Sequence, residues 1–328
     1  MQNLTSLEKI KTEELDAGTV FSGTPSGKKI LGFTAPCIHT PAINPDYIYH
    51  EAMREIIVWL MNPSDPLYIF GPCGSGKTSL IKQLSAKLNY PVFEVTGHSR
   101  LEFTDMAGHL SLDQGSMTFQ YGPLALAMKY GGMFLLNELD LLDPSTAAGL
   151  NSILDGSPLC IPENGGEVIQ PHPMFRFAAT ANTNGGFDES VLYQGTLKQN
   201  IAFMDRFWLC EISYPETKAE AALLAKITPT LPEKLRTTMV DYVNEVRKLF
   251  VGEADTGDQN SIEITFSTRT LIRWADLTLR FQPLSQQGIK PITHALDRAI
   301  GFRATPETRA MLHELAQRMF TLSEEQPE

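Results

Sequence analysis

Apolar residues in the first two thirds of the chain follow two alternating patterns. Short runs bounded by turn residues predict strands: Leu67-Tyr68-Ile69-Phe70, Tyr90-Pro91-Val92-Phe93-Glu94-Val95, Met133-Phe134-Leu135-Leu136, Phe175-Arg176-Phe177-Ala178-Ala179-Thr180-Ala181 and Phe207-Trp208-Leu209-Cys210-Glu211-Ile212. Between them, apolar positions three and four apart predict helices near 50–61, 79–88, 124–130 and 144–154, with a broken helix over 100–108. Two small hairpins are expected, one around Asp113-Gln114-Gly115-Ser116 and one around Asn164-Gly165-Gly166. Strands alternating with helices predict an α/β domain with a mostly parallel sheet. From Pro215 onward only helical spacing remains, at about 216–227, 232–250, 267–281, 291–301 and 306–320, around a polar link at 251–259. The first 45 residues are rich in Gly, Pro, Thr and Ser and carry little periodicity. The expected organisation is an extended arm over 1–45, an α/β domain over 46–214 and an all-helical domain over 215–328.

The first predicted strand runs directly into Gly71-Pro72-Cys73-Gly74-Ser75-Gly76-Lys77-Thr78, and a helix-forming run follows from Ser79, the helix itself beginning near Lys77. This G-x-x-x-x-G-K-T spacing between strand and helix predicts a site for ATP and Mg²⁺. Its glycines let the backbone aim N–H groups at phosphate oxygens, and the helix adds the positive end of its dipole. Lys77 is expected on the β- and γ-phosphates, and the Thr78 hydroxyl on Mg²⁺. A second group ends the third strand. Glu138 is the expected general base for an attacking water, and Asn137 the partner of the metal's water shell. An aspartate is usual at that position; Asn137 can hydrogen-bond a metal-bound water but brings no charge. Asn182, at the tip of the fourth strand, is placed to hold the catalytic water or touch the γ-phosphate. Ligands bind at the carboxyl ends of parallel strands, where Lys77, Thr78, Glu138 and Asn182 would all fall. Arg269, in the first turn of a helix opened by Ser267-Thr268, opposes the helix dipole and suggests a reach to a phosphate. Tyr47 and Ile48, before the first strand, are candidates for adenine contact, with packing as their other reading.

Composition narrows the class. The chain has 328 residues, 42% hydrophobic and 20% charged. No stretch approaches the roughly 18 apolar residues of a membrane span. The N-terminus shows no basic head followed by an apolar run, so the expected compartment is the cytoplasm. A net charge of −11 argues against a broad nucleic-acid footprint. Cys37, Cys73, Cys160 and Cys210 are widely spaced and read as reduced thiols; nothing near Cys37-Ile38-His39 completes a metal set.

Taken together, the ordered segments resemble the MoxR-type AAA+ ATPases, and among them the AAA+ small subunit of aerobic cobaltochelatase. The resemblance is carried by Ala179-Thr180-Ala181-Asn182-Thr183, Leu192-Tyr193-Gln194-Gly195-Thr196-Leu197-Lys198-Gln199-Asn200, Met204-Asp205-Arg206-Phe207, and Ser267-Thr268-Arg269-Thr270 with Trp274-Ala275. It covers about Asn44 to Phe320 and departs at Asn137. It implies an AAA+ P-loop fold with a five-stranded sheet ordered 5-1-4-3-2 and helices on both faces, followed by a helical lid. Asn182 would be the sensor 1 residue, Arg269 sensor 2, and Arg206 an arginine finger completing a neighbouring subunit's site. The two hairpins would be inserts facing a pore or partners. An arginine finger implies a homo-oligomeric ring, usually a hexamer. The expected activity is ATP hydrolysis driving remodelling of a partner, commonly one with a von Willebrand factor A domain. A motor subunit working with cobalt chelatase subunits, and an ATP-gated scaffold with little turnover, are the alternatives. A nucleic-acid motor is disfavoured by the charge.

Overall fold

Five short apolar segments pair into one sheet in the computed structural model: β1 (Leu67–Phe70), β2 (Val92–Thr96), β3 (Gly132–Asn137), β4 (Phe175–Ala181) and β5 (Trp208–Glu211). The structure describes residue 7 and residues 10–62, 65–113, 115–186, 193, 195–250 and 264–324. Gln114, Leu192, Gln194 and the link expected at 251–259 lie outside these. All four strand pairings are parallel, and the spatial order is 5-1-4-3-2, as the resemblance implies. Every residue of β3 is buried. That is why it reads as a continuous apolar run: a parallel sheet is covered on both faces.

Alternate residues feed two cores. Tyr68, Phe134, Leu136, Phe177 and Ala179 pack on one face, against Leu124 and Met128 of the helix Pro123–Tyr130. Leu67, Ile69, Met133, Leu135 and Ala178 pack on the other. There they meet Leu80, Ile81 and Leu84 of the helix Lys77–Lys87, and Ile56 and Trp59 of the helix Met53–Met61. A third core, with Met239, Tyr242, Phe266, Trp274 and Leu296 among its members, joins the helices Thr217–Ile227, Glu233–Lys248, Thr268–Arg280, Pro291–Ala299 and Pro306–Glu324. Among the described residues no helix is long and apolar enough to cross a membrane.

Some expectations change. Within the segment expected to be an extended arm, Thr12–Asp16 and Lys29–Phe33 form an antiparallel strand pair. A helix, Ala17–Ser22, joins them and is capped by Asp16. Ala17, Ile30 and Phe33 are buried in the same core as the helix Lys77–Lys87. These strands are short and partly exposed, so neither builds a visible alternation. The helix expected over 144–154 breaks into Pro144–Gly149 and Asn151–Leu154. The one near 100–108 is a five-residue helix, Phe103–Ala107, closed by a capping box of Glu102 and Asp105. Both hairpins form, Gly108–Asp113 with Ser116–Tyr121 and Leu159–Ile161 with Glu167–Ile169. They are tied together: Tyr121 Oη donates to Glu167 at 2.6 Å, and Lys129 Nζ to the same carboxylate at 2.9 Å.

Candidate active site

The carboxyl end of β1 turns through Gly71 and Gly74, where any side chain would force its neighbours to move. At Gly71, with φ 146°, a Cβ would meet the carbonyl oxygen of Ile212 at 1.9 Å. At Gly74, with φ 75°, it would meet Ser267 Cβ at 2.5 Å. The loop is therefore wedged between the end of β5 and the start of the helix Thr268–Arg280. Out of this turn the helix Lys77–Lys87 begins, with Gly76 as its left-handed cap. Its first N–H groups lack intrahelical acceptors and carry the positive end of the dipole. Lys77 is buried; its Nζ donates to Gly71 O at 2.7 Å, Pro72 O at 3.0 Å and Asn182 Oδ1 at 3.1 Å. Burial pulls its pKa below the usual amine value, opposed by the charge of Glu138.

Asn182 joins the lysine to the carboxylate. Its Nδ2 donates to Glu138 Oε2 at 2.8 Å, so Lys77, Asn182 and Glu138 form one hydrogen-bonded chain across the strand ends. Glu138 adopts φ 53°, a left-handed conformation that costs a non-glycine residue about 1 kcal/mol. Burial and the neighbouring charge of Asp140 raise its pKa, while Lys77, the Asn182 bond and Arg269 lower it. Asp140 is fully buried, and its Oδ2 accepts the backbone N–H of Asn182 at 2.8 Å and of Thr183 at 3.1 Å. Burial also raises the pKa of Asp140, against those two N–H groups.

Asn137 is the centre of the second group. Its Oδ1 accepts from Thr78 Oγ1 at 2.7 Å and Thr180 Oγ1 at 2.9 Å. Its Nδ2 donates to Glu94 Oε1 at 2.7 Å, and the other oxygen of Glu94 pairs with Lys82 at 2.6 Å. Thr78, Asn137 and Glu138 offer hard oxygen donors, the kind that suits Mg²⁺. Lys77, the helix N-terminus and the buried Ser75 hydroxyl, which has no protein partner, suit a nucleotide's phosphates.

The remaining candidates are spread out. Arg269 lies in the first turn of the helix Thr268–Arg280, whose cap Ser267 accepts from Thr270 N at 3.1 Å. Its charge acts on both Lys77 and Glu138. Cys73 is exposed; its carbonyl accepts from Tyr214 Oη at 3.2 Å, and its N–H donates to Tyr193 Oη at 3.4 Å. Ser79 is exposed on the first turn of the helix. Ile48 lines a cavity of about 210 Å³ with His50, Tyr214 and Leu223, whereas Tyr47 packs edge-on against Tyr49. Arg206 is elsewhere. It precedes β5, whose Trp208 pairs with Leu67, the first residue of β1, so it sits at the sheet edge opposite Lys77. There its Nε and a terminal nitrogen grip the two oxygens of Asp155 at 2.8 and 3.0 Å.

Several residues of this site are not singled out by the sequence reading: Asp140, Thr180, Glu94 and Tyr214. Behind Tyr214 stands Arg247, whose guanidinium lies 4.0 Å from the centre of the Tyr214 ring. Arg247 makes two 2.8 Å bonds to the fully buried carboxylate of Glu220, which also accepts from Thr268 at 2.6 Å. Glu94 and Thr180 carry a signal, a polar residue inside an apolar strand; Asp140, in the turn after β3, and Tyr214, in the loop after β5, carry none.

Residues 66–199 match the AAA domain of the dynein-related subfamily, and residues 220–319 match the CbbQ/NirQ/NorQ C-terminal family. The chain is 28% identical over 263 residues to the aerobic cobaltochelatase subunit CobS of a Sinorhizobium species, covering 77% of each chain. To the denitrification regulatory protein NirQ of Stutzerimonas stutzeri it is 28% identical over 72% of this chain and 81% of that one. Midasin of Dictyostelium discoideum is 30% identical over 72% of this chain, a match to 4% of that protein's length.

Proposed function

Because the chain belongs to the MoxR-type AAA+ ATPases, in the group that holds the CbbQ, NirQ and CobS proteins, we propose that it hydrolyses Mg²⁺–ATP in a homo-oligomeric ring, most simply a hexamer, to remodel or activate a partner protein. The observation that carries this reading is the Lys77–Asn182–Glu138 chain at the carboxyl edge of the sheet. It sets a phosphate-binding cation and a base on either side of one amide.

In this reading Lys77 exchanges its carbonyl partners for phosphate oxygens, while the N–H groups from Gly74 to Thr78 cradle the rest. Mg²⁺, held by Thr78 and the Asn137 network, would neutralise phosphate charge. Glu138 takes a proton from the attacking water, which Asn182 helps to place, and Arg269 offers positive charge from the lid. Arg206 cannot serve its own chain from the opposite edge, so its guanidinium would complete a neighbour's site. The partner would be a protein with a von Willebrand factor A domain; by analogy with the CobS relative, the alternative is the motor subunit of a cobalt chelatase. A second reading, an ATP-gated scaffold with little turnover, is favoured by the uncharged Asn137.

The test is ATPase rate against protein concentration for wild type, Glu138→Gln and Arg206→Ala. Wild-type specific activity should rise with concentration, and both variants should lose it by about 10²-fold or more. A wild type that binds ATP yet turns over no faster than Glu138→Gln, with or without partner, would replace the motor by the scaffold.

A further inference from the structure

Asn137 has a carboxylate at its back. Glu94 and Asn137 lie on adjacent strands: Thr96 pairs with Asn137, and Glu94 stands two residues earlier on the same face of β2. The orientation of the Asn137 amide is fixed by its partners. Two hydroxyls, from Thr78 and Thr180, donate to Oδ1, which leaves Nδ2 to meet Glu94 Oε1 at 2.7 Å. An aspartate at position 137 would put a second carboxylate oxygen where that Nδ2 stands, in direct contact with Glu94. Two like charges at that distance disfavour one another strongly. The asparagine and the glutamate are therefore a matched pair, and the negative charge is displaced by one side chain rather than lost.

Resting on the nucleotide reading above, we infer that Glu94 is a positioning residue for the metal side of the site. It acts through the Asn137 amide on the Thr78 hydroxyl and supplies the charge that an aspartate at 137 would bring. Polarised by the carboxylate at Nδ2, the amide presents a more negative Oδ1 to Thr78 and to metal-bound water. Lys82, one helical turn beyond Thr78, holds the other oxygen of Glu94 at 2.6 Å and so fixes which one faces Asn137. Its ammonium partly offsets the field of Glu94. A purely structural ion pair between Lys82 and Glu94 predicts something different, because then the two residues would be equivalent.

The experiment measures binding of a fluorescent ATP analogue as Mg²⁺ is raised, and Mn²⁺ binding by electron paramagnetic resonance in the presence of ADP, on the full chain. Glu94→Gln should raise the half-saturating Mg²⁺ concentration about tenfold, the usual effect of losing a carboxylate behind a metal ligand. Binding without metal should stay within about twofold. Lys82→Met should leave the Mg²⁺ requirement at or below wild type. The reciprocal exchange, Glu94→Gln with Asn137→Asp, should return it to within about twofold of wild type, because the charge moves back to position 137. The inference is overturned if Glu94→Gln leaves the Mg²⁺ dependence unchanged, if Lys82→Met weakens it in parallel, or if the double variant is as weak as Glu94→Gln. A wild type that shows no Mg²⁺-dependent nucleotide binding would instead overturn the nucleotide reading itself.

Discussion

Replacing Arg247 by Met tests the buried link between the helical region and the nucleotide loop. Arg247 is 5% exposed and Glu220 0%, and the guanidinium meets both carboxylate oxygens at 2.8 Å. Its Nε also donates to Phe266 O at 2.8 Å, and its plane covers Tyr214. Methionine keeps much of the apolar stem but leaves the Glu220 carboxylate buried with Thr268 as its remaining side-chain partner. Breaking such a pair from one side costs about 3–5 kcal/mol, because a charge is left without compensation. Chemical denaturation followed by circular dichroism reads this directly as a drop in unfolding free energy. Glu220→Gln combined with Arg247→Met removes the orphaned charge and should recover more than half of the loss. The link also has a functional end. Tyr214 donates to Cys73 O in the nucleotide loop, and Thr268 precedes Arg269. The single variant should therefore also weaken nucleotide binding, while the double variant should partly restore it. A single variant that loses less than about 1 kcal/mol, or a double variant no more stable than the single, would refute the argument.

Other expectations follow from the same geometry. Gly74→Ala combines a left-handed backbone, costing about 1 kcal/mol, with a contact to Ser267 that must be relieved by moving the helix Thr268–Arg280. Affinity for an ATP analogue should fall about tenfold or more, with far-ultraviolet circular dichroism unchanged. Burial and Asp140 hold the Glu138 pKa above the ordinary carboxylate range. In its proposed role as base Glu138 acts only when ionised, so kcat should fall as pH drops through that raised value. Asp140→Asn removes one of the raising causes, so the acid limb of its pH–kcat profile should move to lower pH; an unmoved limb counts against the assignment. Asp16, which accepts from the N–H groups of Thr19, Ser26 and Gly27, has its pKa lowered to about 2. Its contribution to holding that turn is present above the ordinary carboxylate range and lost as pH falls through about 2, and carboxyl NMR titration should find the midpoint there.

Which parts of this arrangement can be read without coordinates depends on the range of the interaction that creates them. The nucleotide loop is written in local constraints: positive φ at Gly71, Gly74 and Gly76, then a lysine and a threonine on the first helical turn. The central strands are equally plain, because burial on both faces leaves an unbroken apolar run such as that of β3. Thr12–Asp16 escapes notice because its pairing with Lys29–Phe33, not its own alternation, makes it a strand. Asp140 is hidden differently: it follows Glu138 by two residues, but its task, holding the Asn182 and Thr183 N–H groups, exists only once β4 lies beside β3. The Glu220–Arg247 pair spans 27 residues, and periodicity alone cannot distinguish a charge on an apolar face that is buried from one that reaches solvent. Asn137 is the sharpest case. Read along the chain, it is a charge missing from a metal site. Read across the sheet, it is the donor that lets Glu94 approach, and that reading needs the neighbour relation between β2 and β3. A residue that looks like a defect in one dimension is then half of a pair in three. Changing Asn137 to Asp without changing Glu94 should accordingly weaken Mg²⁺-dependent binding, although it restores the usual aspartate; tighter binding by that single variant would show that the missing charge was a defect after all.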